Sequence, residues 1–109
     1  MCEFESLYYG DDGYVVRCKH CGHYQVAFIS TMLSLNERNF QALYTLVQQK
    51  CQEADYSFTE HSKTVILKTP CDGVFIMLTR NEARRFSEIL EEADNEAKSL
   101  ALIRLFNTV

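Results

Sequence analysis

Proline occurs once in these 109 residues, glycine four times and histidine three times. No apolar run approaches the length that spans a bilayer, so a membrane-spanning helix is not expected. So little proline and glycine, beside 47% hydrophobic and 24% charged residues, places the chain among globular domains and away from disordered or low-complexity ones. Basic residues are also scarce. Eleven Lys and Arg against fifteen Asp and Glu leave a net charge of -4. The sequence pI near 5.3 argues against a protein whose main work is neutralising a phosphate backbone. The opening MCEFES lacks the basic and apolar regions of a secretory leader, so a cytoplasmic protein with reduced thiols is expected.

A catalytic signature is missing as well. Cysteine and histidine pairs such as Cys21 with His23, or Cys71 with His61, can be written down, but no oxyanion glycine turn or orienting acid accompanies them. The expectation is a protein that is not an enzyme.

What the chain does have is pattern. One hundred and nine residues suit a single domain spanning 1–109. Phe4 to Tyr9, Tyr14 to Cys18 and Tyr24 to Ile29 read as strands, separated by the turn signals GDDG and CKHCG. A helix follows, with Phe40, Leu43, Tyr44, Val47, Cys51 and Ala54 on one apolar stripe. Ser34 and Glu37 have the spacing of a capping box at its start.

The plan then recurs. Tyr56 to Thr59, Lys63 to Lys68 and Val74 to Leu78 match the earlier strands at an offset of 50, which sets Val15 on Val65 and Cys21 on Cys71. Thr79 and Glu82 form a second capping box, and MLSLNE at 32–37 resembles MLTRNE at 77–82, now at an offset of 45. The expected fold is therefore α+β: an antiparallel sheet built from two βββα pseudo-repeats, about 2–54 and 56–106, with two helices packed on one face. Two unrelated meanders, each followed by a helix, give the same class.

The last helix, from Asn81 to about Phe106, carries Phe86, Ile89, Leu90, Ala93, Ala97, Leu100 and Ile103 on one side. At 1.5 Å per residue it is on the order of 40 Å long, more than a compact domain of this size is wide. Either it breaks near Asp94 and Asn95 or its end projects. SLALIRLF at 99–106 is apolar nearly all round. A homodimer interface through this helix accounts for that best, and folding back on the sheet is the alternative.

Five cysteines remain to be placed. Cys18, Cys21 and Gly22 have the C-x-x-C-G pattern of a metal knuckle, in which a tight turn aims two thiolates at one ion. The pattern is half of a zinc ribbon. Cys71 is the candidate third ligand and Cys2 the fourth, with His20, His23 and His61 as substitutes. A closed set of four protein ligands makes any zinc structural. An unmetallated turn and a redox pair stay open, although redox pairs sit where a strand enters a helix and this one lies between strands. Cys51 falls on the apolar stripe of the first helix and reads as core.

Acidic groups read as surface. Asp11 and Asp12 are turn formers, and Glu88, Glu91, Glu92, Asp94 and Glu96 fall on the solvated side of the last helix. Arg80, Arg84 and Arg85 cluster at its start.

The order of features, a cysteine near the start, then CKHCGHYQVAF and LSLNERNFQAL, resembles a small family of uncharacterised bacterial proteins with an N-terminal C-x-x-C-G knuckle. The resemblance implies a bacterial cytoplasmic origin and the α+β plan, and no activity. Two functions are carried forward. One is a non-enzymatic interaction or regulatory module, dimeric, binding an unidentified protein and holding a structural zinc. The other is a thiol-dependent redox or metal-sensing protein that works through Cys18 and Cys21.

Overall fold

The computed structural model describes residues 3–52 and 65–107. In chain order its elements are β1 (Phe4–Gly10), β2 (Gly13–Cys18), β3 (Tyr24–Phe28), β4 (Thr31–Leu35), α1 (Glu37–Gln52), β5 (Val65–Lys68), β6 (Phe75–Leu78) and α2 (Arg80–Asn107). The class is α+β, as expected. The strands form two sheets rather than one: a four-stranded antiparallel meander in the order β1-β2-β3-β4, and the β5-β6 hairpin.

Side-chain alternation gives the meander one dry face. Val15 lies opposite Val26, and Val26 opposite Leu33, so one register row places three buried aliphatic side chains in line. The next row, Val16, Gln25 and Ser34, faces the other way and keeps partial or full exposure. Burying each aliphatic residue of the inner row contributes about 1.5–3 kcal/mol. Register slips between Ser6 and Tyr8, where Leu7 is the extra residue of a bulge. Leu7 is buried. The bulge re-aims Tyr8 toward α2, where it meets Arg85.

β4 is a strand the capping pattern concealed. Ser34 pairs with Gln25 inside the sheet, and the α1 cap is supplied two residues later, where the Asn39 amide donates to Asn36 Oδ1 at 2.8 Å. An S-x-x-E spacing and a strand alternation overlapped at residues 31–37, and pairing with β3 decided between them. Of the elements expected in the second half, β5, β6 and α2 are described; the strand expected at Tyr56 to Thr59 lies outside the described residues.

Both helices cover the inner face. Two parallel aromatic stacks fasten them to β3: Tyr24 on Phe40 of α1, with centroids 4.2 Å apart, and Phe28 on Phe86 of α2 at 4.5 Å. Phe40, Leu43 and Val47 form the buried stripe of α1, with Tyr44 and Cys51 partly buried beside it. In α2 the buried set is Ala83, Phe86, Ile89, Leu90, Ala93, Asp94 and Ala97. The expected capping box forms in full: the Glu82 amide donates to Thr79 Oγ1 at 3.0 Å, and the Thr79 amide to Glu82 Oε1 at 2.8 Å.

Asp94 departs from the solvated reading. It is buried where the helices cross, accepting from Gln41 Nε2 on α1 at 2.8 Å and pairing with Lys98 at 2.8 Å. Those bonds let the helix pass through Asp94 and Asn95 unbroken for 28 residues. The long axis of the molecule is 54 Å, against 26 and 24 Å across. Residues 101–107 are all exposed. No helix among the described residues is long and apolar enough to cross a membrane.

Candidate functional site

The cysteine turn joins β2 to β3. The Cys18 amide donates to the His23 carbonyl at 2.8 Å, and the Gly22 amide to the Cys18 carbonyl at 3.0 Å. Gly22 has φ +75, and a Cβ there would meet nothing within 4 Å, so the glycine is required by backbone angle rather than by crowding. Closing the turn this way aims the Cys21 amide at Cys18 Sγ, 3.5 Å away. An amide directed at sulfur is the backbone feature that a thiolate knuckle uses, because it stabilises charge on the sulfur. Cys18 is buried and Cys21 exposed.

The other expected ligands stand apart from the turn, or outside the description. Cys71 is in the β5-β6 turn, half-buried against the core. That turn is organised by buried Thr69, whose hydroxyl donates to the Val74 carbonyl at 2.8 Å and accepts the Cys71 amide at 3.3 Å. Among the described residues no three of His, Cys, Asp and Glu are placed together to hold a metal, so Cys71 does not join Cys18 and Cys21 in one group. Cys2 and His61 lie outside the described residues. His20 and His23 are exposed, and His20 Nε2 is 3.7 Å from Glu3 Oε2.

Beside the turn is a polar pocket of about 230 Å³. Cys18, Lys19 and Gly22 form one wall, Glu37 at the start of α1 another, and Ala101 and Arg104 of α2 a third. Its floor is an ion network on the inner face of the sheet. Glu5 lies opposite Arg17 in the β1-β2 register, and its carboxylate is almost wholly covered. Oε1 accepts from Arg17 Nε at 3.1 Å and Nη2 at 2.7 Å; Oε2 accepts from Arg104 Nη2 at 2.5 Å. Burial alone raises the Glu5 carboxyl, but Arg17 and Arg104 outweigh it and hold it below the ordinary glutamate value. Arg17 also lies 5.7 Å from the centre of the Tyr24 ring, which itself stacks on Phe40. The network thus links β1, β2, β3 and both helices. Chemically it positions charge: a carboxylate kept ionised by two guanidinium groups is a poor proton acceptor.

The family model supplies the remaining relation. The chain belongs to the family of unknown function DUF6686, which matches residues 1–107. The match takes in every described element, and the cysteine turn with it. No curated protein and no solved structure matches the chain.

Sequence reading identified the cysteine turn but missed the pocket floor. Glu5, Arg17 and Arg104 are spread over the whole chain and share no motif. A weak signal existed, since Glu5 and Arg17 interrupt strands at positions where alternation calls for an apolar residue. A second network joins Arg85 to Asp12 at 2.6 Å and to the Tyr8 hydroxyl, tying the β1-β2 turn to α2. Arg85 beside Asp12 holds that carboxyl below its usual range.

Proposed function

We propose that this chain is a non-enzymatic protein-interaction or regulatory module of a bacterial cytoplasm, homodimeric through the end of α2, with the Cys18–Gly22 turn acting as a structural zinc knuckle. The observation that carries the interaction reading is the end of α2, where Leu102, Ile103 and Phe106 are 57, 54 and 78% exposed. Side chains of that size are left in water at a cost that a partner surface removes. Glu5, Arg17 and Arg104 on the pocket floor are paired with one another, which supports a holding rather than a proton-transferring role.

The amide aimed at Cys18 Sγ and the left-handed Gly22 support the knuckle. Cys18 and Cys21 are its ligands in this reading; Cys2 and Cys71 are the remaining members of the expected set. Zinc bound there would tie the β2-β3 turn in the folded state and contribute to stability.

Native mass spectrometry with metal analysis tests the proposal. One zinc per chain, lost together with thermal stability in Cys18→Ser and Cys21→Ser, is the expected result. Loss of zinc in Cys2→Ser would identify Cys2 as a further ligand, and unchanged zinc content in Cys71→Ser would agree with its placement apart from the turn. A metal-free chain whose folding is indifferent to Cys18→Ser would sink the knuckle, and rapid alkylation of Cys18 in that chain would favour the thiol-dependent alternative. A chain that stays monomeric at high concentration would sink the dimer.

A further inference from the structure

The β5-β6 hairpin has an outer face as apolar as the end of α2. Its register sets Ile66 opposite Met77 and Lys68 opposite Phe75. Ile66, Met77 and Phe75 are 52, 57 and 57% exposed, while Leu67 and Ile76 on the other face are buried. Three large apolar side chains and one lysine therefore form a contiguous patch on two strands. This patch and the helix end belong to opposite ends of the molecule. One residue, Thr79, separates β6 from α2, and 28 residues of helix at 1.5 Å each carry the chain about 42 Å from there.

We propose that these two patches cover each other between two copies: the end of α2 of each copy docks on the β5-β6 outer face of the other, with the two α2 helices antiparallel across a two-fold axis. The inference rests on the dimer reading above and names the surface that receives the helix.

Area argues for it first. The exposed parts of Leu102, Ile103, Leu105 and Phe106 offer roughly 450 Å² per copy, so pairing two helix ends alone buries about 900 Å² in all, below the roughly 1,200 Å² of a specific interface. Adding Ile66, Phe75 and Met77 raises the total to about 1,500 Å², within that class.

Symmetry argues for it next. Unlike patches at opposite ends form either an open head-to-tail chain or a closed pair, and the pair closes when one two-fold axis lies across the middle of α2. In the closed pair the second contact forms within the assembly already made, at high effective concentration, so it is favoured over recruiting a third copy. Charge agrees. The C-terminal end of α2 is the negative end of its helix dipole, and Lys68 is the cation beside the receiving patch.

Sedimentation velocity on the full chain tests this with Phe106→Asp and Met77→Asp, both surface changes, with circular dichroism as the check on folding. The expected result is a dimer for the unaltered chain, at least about tenfold weaker association for each variant alone, and recovered pairing when the two variants are mixed. Recovery follows because the mixed pair keeps one contact intact, the helix end of the Met77→Asp copy on the sheet face of the Phe106→Asp copy. Lys68→Glu should weaken association roughly two- to fivefold. A dimer that Phe106→Asp disrupts and Met77→Asp leaves unchanged overturns this inference and preserves the dimer through α2. Species larger than a dimer overturn the closed pair. A monomeric unaltered chain overturns both.

Discussion

Glu5 on the first strand and Arg104 in the last turns of α2 are joined across 99 positions of sequence, Nη2 to Oε2 at 2.5 Å. The contact reaches past the last buried residue of the helix, Ala97, and holds the exposed end against β1. Since Arg104 is itself half-exposed, its ion pair is worth at most about 1 kcal/mol. Arg104→Ala is accordingly expected to leave global stability nearly unchanged while accelerating amide hydrogen exchange at residues 101–107. Unchanged exchange there would show that the end is held by something else.

Glu5→Gln removes the charge that two arginines share beneath the pocket, and should cost about 1–3 kcal/mol at neutral pH. The sign of the pH effect follows from the lowered native carboxyl. Its contribution is present above the unfolded glutamate value of about 4.3 and is lost as pH falls through the lower native one. Urea unfolding followed from pH 7 to pH 3 should therefore give a shallower acid slope for the variant than for the unaltered chain.

The caps separate two readings of the α1 start. Asn36→Ala should destabilise by about 1 kcal/mol because Asn36 caps the helix, whereas Ser34→Ala, on the exposed side of β4, should stay within about 0.5 kcal/mol. Thr79→Ala should cost about as much as Asn36→Ala, since Thr79 caps α2 in the same way. Thermal or urea unfolding of the three variants decides it. Equal losses for Ser34 and Asn36 would restore the S-x-x-E reading.

Two turn residues make an opposed pair. Gly22 has φ +75 with open space around it, so Gly22→Ala should cost about 1 kcal/mol by backbone strain alone. Ile29, in the two-residue β3-β4 turn, has φ 54 although it is β-branched, and its side chain is 55% exposed. Ile29→Gly should relieve strain and stabilise by about 0.5–1 kcal/mol, as equilibrium unfolding would register.

At the helix crossing, Asp94 is buried but ionised. Burial raises its carboxyl, and Lys98 and Gln41 more than offset this, holding it below the usual range. Asp94→Ala leaves Gln41 without its acceptor and opens a small void, for an expected loss of about 2–3 kcal/mol. Gln41→Ala should cost less, because Lys98 still pairs with the carboxylate. Urea unfolding of both variants gives the order, and its reversal would show that Gln41 matters more than the charge.

These particulars indicate how far the sequence could be read. The stripes of α1 and α2 and the Thr79–Glu82 cap follow from local spacing, and the structure has them. Strand β4 was hidden because residues 31–37 satisfy two local patterns, and only pairing with β3 selects one. Asp94 and the Glu5–Arg17–Arg104 network were illegible for a different reason. A charged residue announces its position but not its partner, and each of these meets a group more than ten positions away. Cys18 and Cys21 were legible as a turn, and the directed Cys21 amide is what the structure adds to them.

The exposure of α2 changes along its length, and this divides the helix into two thermodynamic regimes. As far as Ala97 its order is that of the core and is lost only when the whole chain unfolds. Leu100 still packs partly on the core; beyond it every described residue is exposed, so this end is the least protected part of the helix and the part that a bound partner orders first. In the proposed dimer, association is linked to local helix formation by mass action: raising protein concentration should protect amides at 101–107 before it measurably raises the melting temperature.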